Sequence, residues 1–307
     1  MIQEVTDSNI EAARRFLECH AETSLFLLSN LTALGPRLGE SFNSGNFRCI
    51  VESGAVAAVF CLTRRGNLLV QTGGRADQAG EIFHACDRDV VPIQGVVGEW
   101  RAAEALWRIL CAQPAFRPNH TSKEVLLRLD LAGQEARGPI DDRVRLLEPS
   151  DFAEWERLNT AYRIEAGLPM QGTAEQRRAT FVSQSAAGHW WRAVDARRLV
   201  AIAGLNAVYR QLGQTGGVYT PPDRRRKGLA RSVMQGLIAD ARHRHGLEQL
   251  VLFTDEDNAP AQGLYASLGF TARGHFGLLF GVWGPERGSE WQNCQSRGRE
   301  TSCGPIA

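Results

Sequence analysis

Gly217-Val218-Tyr219-Thr220-Pro221-Pro222-Asp223-Arg224-Arg225-Arg226-Lys227-Gly228-Leu229-Ala230 is the stretch from which the rest of the chain can be read. An apolar strand runs into two prolines, which cannot donate ladder hydrogen bonds and so suit a strand that parts from its neighbour. A basic turn follows, and then a helix whose apolar stripe is Leu229, Val233, Leu237, Ile238 and Ala241. The first turn of a helix has N–H groups without intrahelical partners and a partial positive charge. Such an entrance is an anion site. Gly228 lets the backbone come close to a ligand, Ala230 adds little bulk, and Arg225, Arg226, Lys227 and Arg231 add positive charge around it. A diphosphate is the natural guest. A parted strand would also leave backbone groups of Val218, Tyr219 and Thr220 free for an extended ligand, and the two amides of a pantetheine arm fit that need.

Working outward, the residues before the strand read as a short strand Val144–Leu147, a helix carrying Phe152, Trp155, Leu158 and Tyr162, and a second helix across Ala174–Ser185. Strands follow at His189–Val194, Leu199–Tyr209 and Thr215–Thr220. Adjacent Trp190 and Trp191 fall on opposite strand faces, one expected in the core and the other near a groove. After the helix beginning near Gly228, the pattern predicts a strand Gln249–Phe253, a helix Asn258–Leu268 closed by Gly269, and a last strand Phe276–Gly281. The first half repeats this order loosely, ending in a helix Arg101–Cys111 and a strand Val125–Leu131. The division expected is 1–132, a linker 133–142 rich in Gly, Pro and charge, 143–284, and a polar tail 285–307.

Arg225-x-x-Gly228-x-Ala230 resembles the R/Q-x-x-G-x-G/A diphosphate motif of the GNAT acetyltransferases, and Val218-Tyr219-Thr220-Pro221-Pro222 is similar to the phrase that precedes it in many members. Leu252-Phe253-Thr254-Asp255, Asn258, Tyr265 and Leu268-Gly269-Phe270 resemble the family's second cofactor segment. The resemblance covers most of 143–284. It implies an α/β (α+β) protein of two tandem GNAT-like domains, each a mixed, mostly antiparallel twisted sheet flanked by helices, with a degenerate first copy. It implies acetyl-CoA as co-substrate and acetyl transfer to a primary amine by direct attack. Backbone groups of Val218 and Thr220 would hold pantetheine, and N–H groups across Arg226, Lys227, Gly228, Leu229, Ala230 and Arg231 the diphosphate. Asn258 would touch pantetheine, and Tyr265 would protonate the leaving thiolate. The sequence departs from the family in reading Asn258-Ala259-Pro260 rather than Asn-Pro, which puts the helix start and Asn258 in question. Glu165, His189, Asp255 and Glu256 all stay open as the base, and Tyr162 and Glu165 lie where relatives contact the acceptor.

The first half has Thr72-Gly73-Gly74-Arg75-Ala76-Asp77 at the matching place and no copy of the motif. A chain of 307 residues with 43% hydrophobic and 22% charged residues is expected to be globular. Its formal net charge of +1 implies no large basic face, so nucleic acid is not an expected partner. This weighs against a tandem transferase using aminoacyl-tRNA. No stretch is apolar enough for a membrane span and none reads as a leader. Seven cysteines without metal spacing point to no metal site and to a reducing cytoplasm. A monomer or homodimer acting on a small-molecule amine is the expectation; a non-catalytic acyl-CoA-binding sensor or scaffold is the alternative.

Overall fold

The computed structural model describes residues 1–132, 141–170, 172–196 and 198–284. Most of the expected linker, the expected tail, and Cys294 and Cys303 lie outside the described residues. The chain forms two compact units: Met1–Lys123 with the residues from His275 onward, and Glu124–Gly274.

The first unit holds β1 (Ile2–Glu4), α1 (Ile10–Cys19), α2 (Ala21–Leu34), β2 (Gly45–Glu52), β3 (Ala55–Thr63), β4 (Asn67–Gln71), α3 (Ala79–Cys86), β5 (Gly95–Glu99) and α4 (Trp100–Cys111). A long strand, β6 (Phe116–Asp130), begins in this unit and passes into the second. The second unit continues with β7 (Val144–Leu146), α5 (Phe152–Glu165), α6 (Ala174–Ala186), β8 (Trp190–Asp195), β9 (Arg198–Tyr209) and β10 (Leu212–Tyr219). Then come α7 (Leu229–His243), β11 (Gln249–Asp255), α8 (Ala259–Ser267) and β12 (Thr271–Trp283), whose residues from His275 on belong to the first unit.

Each unit repeats one topology. In the first, the order is β1-β2-β3-β4-β5-β12, antiparallel except for the parallel pair β4–β5. In the second it is β7-β8-β9-β10-β11-β6, antiparallel except for β10–β11. The units are therefore not the contiguous halves expected from the sequence. The strand predicted at Val125–Leu131 pairs with β11 from Gln249↔Asp130 to Asp255↔Glu124, and the strand predicted at Phe276–Gly281 pairs with β5. Alternation reveals that a segment is a strand and which residues share a face, but not which sheet edge it completes. Here burial decides. Leu127, Leu129 and Leu131 join the core beneath α7, whereas Leu279 joins that of Phe60, Leu106 and Phe116.

The second unit has a core on each face of its sheet. Under α7 and α8 lie Trp191, Leu205, Leu229, Val233, Leu237, Leu250, Leu252 and Tyr265. Under α5 and α6 lie Trp155, Leu158, Phe181, Trp190, Ile202 and Tyr219. Both tryptophans of the Trp190-Trp191 pair are thus core, on opposite faces, and neither opens to a groove. Their indole N–H groups explain how they can be buried: Trp190 donates to Gln184 Oε1 at 2.8 Å and Trp191 to Asp240 Oδ2 at 2.8 Å.

Candidate active site

The parallel ladder between β10 and β11 runs from Leu212↔Gln249 to Thr215↔Leu252 and then stops. Beyond it, β10 stays with β9 as far as Tyr219↔Ile202, while β11 stays with β6 as far as Asp255↔Glu124. A gap opens between the two central strands. Its cause is local: β10 is irregular between Gly216 and Tyr219, with Gly217 at φ +61°. A Cβ on Gly217 would come 2.6 Å from Trp190 Cη2, and one on Gly204 would come 2.8 Å from the same ring. The buried indole lies flat on the β9–β10 backbone and holds the irregularity, which supports the expected separation ahead of the prolines.

After Thr220 the chain makes a short turn at Pro222–Arg224 and enters α7 through two left-handed residues, Arg226 at φ +64° and Gly228 at φ +76°. No side chain caps the helix, and its first bond runs from the Ser232 N–H to the Gly228 carbonyl at 2.9 Å. A Cβ on Gly228 would meet nothing within 4 Å. The entrance is an open cradle of backbone donors with the helix dipole behind it, flanked by exposed Arg226, Lys227 and Arg231. Leu229 and Ala230 can offer only their backbone N–H groups to it, since Leu229 is buried in the core. Arg231 also donates to Ser267 Oγ at 2.6 Å, tying the start of α7 to the end of α8. Lining the gap, Thr220 Oγ1 is buried without a hydrogen-bond partner among the described residues. A ligand amide would relieve that cost.

Two expected site residues hold each other instead. Arg225 donates through Nη2 to both oxygens of Glu165, at 2.6 and 2.6 Å, and through Nε to the Thr220 carbonyl at 2.9 Å. Its guanidinium also lies over the Tyr219 ring, 5.9 Å from the centroid. Arg225 is a brace between α5 and the end of β10, and it occupies both oxygens of the Glu165 carboxylate. Asp255 and Glu256 shape the turn into α8: Asp255 Oδ1 accepts from the Asp257 N–H at 2.8 Å, and Gln262 Nε2 donates to the Glu256 carbonyl at 2.8 Å. The Asn258-Ala259-Pro260 spelling starts α8 at Ala259. Asn258 becomes its cap, with Oδ1 accepting from the Ala261 N–H at 3.2 Å. His189 packs 5.2 Å from His245, past the opposite end of α7 from Gly228, and burial together with that neighbour lowers its pKa.

Tyr265 is 7% exposed and packs edge-on against Phe270. Burial pushes its pKa well above the usual tyrosine value, with Tyr162 and then Glu124 adding to the shift. The same two causes, burial first and Glu124 second, raise Tyr162, whose ring lies 6.2 Å from that of Tyr219. Left alone, Tyr265 is a weaker acid than its ordinary value implies. Glu124, 8% exposed, is a buried acid on β6 opposite Asp255 that the sequence analysis does not single out. Its signal was a lone acid just ahead of the apolar run Val125–Leu127. The sequence pattern places that strand in the first half of the chain, whereas it pairs with β11 of the second unit.

In the first unit the equivalent place is closed by its own side chains. Where the parallel pair β4–β5 ends, Glu99 Oε1 accepts from the Thr72 N–H at 3.2 Å and lies 2.5 Å from Thr72 Oγ1. Arg75 is bound to Asp77 and Glu52, and Gln78 donates to Glu52 as well. Among the described residues no group of three or more His, Cys, Asp or Glu is placed to hold a metal ion, and no helix is long and apolar enough to cross a membrane.

A sheet parted between parallel fourth and fifth strands, with an open helix entrance beside the gap, is the arrangement that the resemblance in the sequence implies. Residues 149–270 match the model of the acetyltransferase (GNAT) family, and this stretch is a GNAT domain. Similar folds over nearly the whole chain include a Drosophila protein (12% identity, 92% of this chain and 98% of that one, TM-score 0.64). A GCN5-related N-acetyltransferase from Sphaerobacter thermophilus is also similar (16%, 92% and 95%, 0.58). So is a tandem GNAT protein from the clavulanic acid biosynthesis pathway (14%, 93% and 99%, 0.52). At these identities the likeness is one of fold. No curated protein matches the chain.

Proposed function

We propose that the protein is an acetyl-CoA-dependent N-acetyltransferase that acetylates a primary amine of a small molecule in its second unit, the first being a copy that has lost its cofactor site. One observation carries the reading: the uncapped, open entrance of α7 stands directly beside the gap between β10 and β11. The diphosphate of acetyl-CoA fits the N–H groups from Arg226 to Arg231. The pantetheine arm fits the free edge at Val218–Thr220, where a strand N–H would also stabilise the oxyanion formed on the thioester carbonyl. Juxtaposing amine and thioester supplies much of the remaining acceleration. Glu99 and the paired Arg75 support loss of the site in the first unit.

Calorimetry of acetyl-CoA against the parent protein and a Gly228→Glu variant tests the reading. A carboxylate at the cradle would face phosphate, so affinity should fall at least tenfold, and equal affinity would defeat the assignment. Thiol release over a broad amine library then separates a transferase from a non-catalytic acyl-CoA sensor, which binds acetyl-CoA and releases no thiol.

A further inference from the structure

We propose that the second unit carries a further ligand site, at the outer edge of its sheet, which binds a free α-amino acid with an aliphatic side chain. The site is a hollow of about 460 Å³, within the range of small-molecule sites. It is separate from the cofactor gap, since β9 and β10 stand between β8 and that gap, and the assignment does not depend on the reading of acetyl-CoA. Strand register builds it. Arg145 on β7 stands directly opposite Arg192 on β8, and Arg143, two residues earlier, shares the face of Arg145. Val144 and Leu146, which alternate with these arginines, pack on the core under α7. The three guanidiniums therefore lie on the α5 side of the sheet, where Asp151 and Glu154 from the start of α5 line the same hollow.

Like charges directly opposite on neighbouring strands, with Cβ atoms about 4.5–5.5 Å apart, repel. Two of the three arginines have counter-ions. Arg143 donates to Asp141 through Nε at 2.9 Å and through Nη2 at 2.7 Å, and Arg192 donates through Nη1 to Asp151. Arg145 has no partner among the described residues, and neither do Nε and Nη2 of Arg192. Charge on an edge strand discourages pairing with another chain, but that purpose calls for no second cation opposite the first. A carboxylate between Arg145 and Arg192 relieves the repulsion and matches the planar fork of a guanidinium. Acceptors stand in the same hollow. Glu154 accepts from the Leu199 N–H through Oε2 at 2.8 Å and keeps Oε1 spare, and Asp142 is exposed and unpaired among the described residues. The lining charges balance, Arg143, Arg145 and Arg192 against Asp142, Asp151 and Glu154. A phosphate dianion would meet all these carboxylates and a polyamine all these guanidiniums, whereas a molecule with one charge of each sign finds a partner for both. Val194 and Leu199, from the apolar cluster under α5, give the hollow an apolar wall that suits an aliphatic side chain.

The test is calorimetry of the full chain with leucine, leucinamide, N-acetylleucine and inorganic phosphate as probes. Leucine should bind saturably without acetyl-CoA. Leucinamide lacks the carboxylate and N-acetylleucine the ammonium, so each should bind at least tenfold more weakly, and phosphate should not displace leucine. Arg145 is exposed and unpaired among the described residues, so Arg145→Ala folds as the parent does, and it should weaken leucine at least tenfold. Asp142→Asn should weaken leucine several-fold and leave N-acetylleucine unaffected. Leucine is also an amine, and binding as an acceptor at the gap would survive Arg145→Ala; such survival overturns the proposal. So does leucine that shows no binding at about 10 mM, a leucinamide or N-acetylleucine that binds as tightly as leucine, or phosphate that displaces it. Acetyl-CoA titrated into the same protein keeps the two readings apart: a parent that binds leucine and not acetyl-CoA retains this site and loses the transferase.

Discussion

Gly217 and Gly228 are both left-handed, at φ +61° and +76°, yet a methyl group on each would meet different surroundings. Placing Ala at either position costs about 1–2 kcal/mol for the conformation alone. At Gly228 the Cβ meets nothing within 4 Å, so that is the whole expected loss. At Gly217 the Cβ would sit 2.6 Å from Trp190 Cη2 and 3.1 Å from Cζ3. The indole cannot retreat, being buried against Trp155, whose ring centroid is 5.2 Å away, and held at Nε1 by Gln184. Overpacking of this kind adds about 1–3 kcal/mol, giving a total of about 2–5 kcal/mol for Gly217→Ala. The two variants should also separate in function. Gly217→Ala shifts the end of β10 and weakens acetyl-CoA binding as it destabilises the fold; Gly228→Ala crowds the cradle and weakens binding with little loss of stability. Urea denaturation followed by tryptophan fluorescence, with calorimetry of acetyl-CoA, reads both. Trp190→Leu in the Gly217→Ala background should recover part of the loss, with a coupling of about 0.5–3 kcal/mol. A Gly217→Ala variant no less stable than Gly228→Ala, or a zero coupling, would refute the claim that the indole sets the break in β10.

The remaining expectations concern charge and stoichiometry. Glu165→Gln loosens the brace on Arg225 and should raise the acetyl-CoA Kd a few-fold by calorimetry; an unchanged Kd would show that the brace does not position the end of β10. Calorimetry should give one acetyl-CoA per chain, because Glu99 fills the equivalent place in the first unit, and two per chain would contradict that closure. His189 has its pKa lowered by burial and by His245. The unfolded chain therefore binds the proton first as pH falls. The stabilisation is complete above the unfolded value of about 6.5 and is lost as pH drops from there through the folded value. Thermal midpoints of the parent should decline across that window, and His189→Gln should flatten the decline.

The strand, prolines, basic turn and helix of 217–243 were legible because every cue there is local: proline chemistry, a glycine before an apolar stripe, and the charge around them. The same holds for most other elements, whose expected and observed ends differ by a few residues, as with Ala174–Ser185 and the observed Ala174–Ala186. The three-residue β1 escaped because it is too short to show a period, and β6 and β12 ran longer than their apolar cores suggested. The roles of charged residues were less legible. Arg225 and Glu165 are 60 positions apart, and each looks available until the fold clasps them together. Asn258 is a cap because the next two residues are Ala259 and Pro260, which begin the helix one residue later than an Asn-Pro pair would.

By itself the sequence determined the helix entrance at Gly228, the alternation of strands and helices, and the duplication, since these follow from hydrogen-bond supply and side-chain period over a dozen residues or fewer. Tertiary structure alone decided which sheet edge each sixth strand completes. With that choice it brought Glu124 into the unit of Tyr162 and Tyr265. Strand pairing over more than a hundred residues of chain is selected by which core the buried face fills, and no local pattern carries that information.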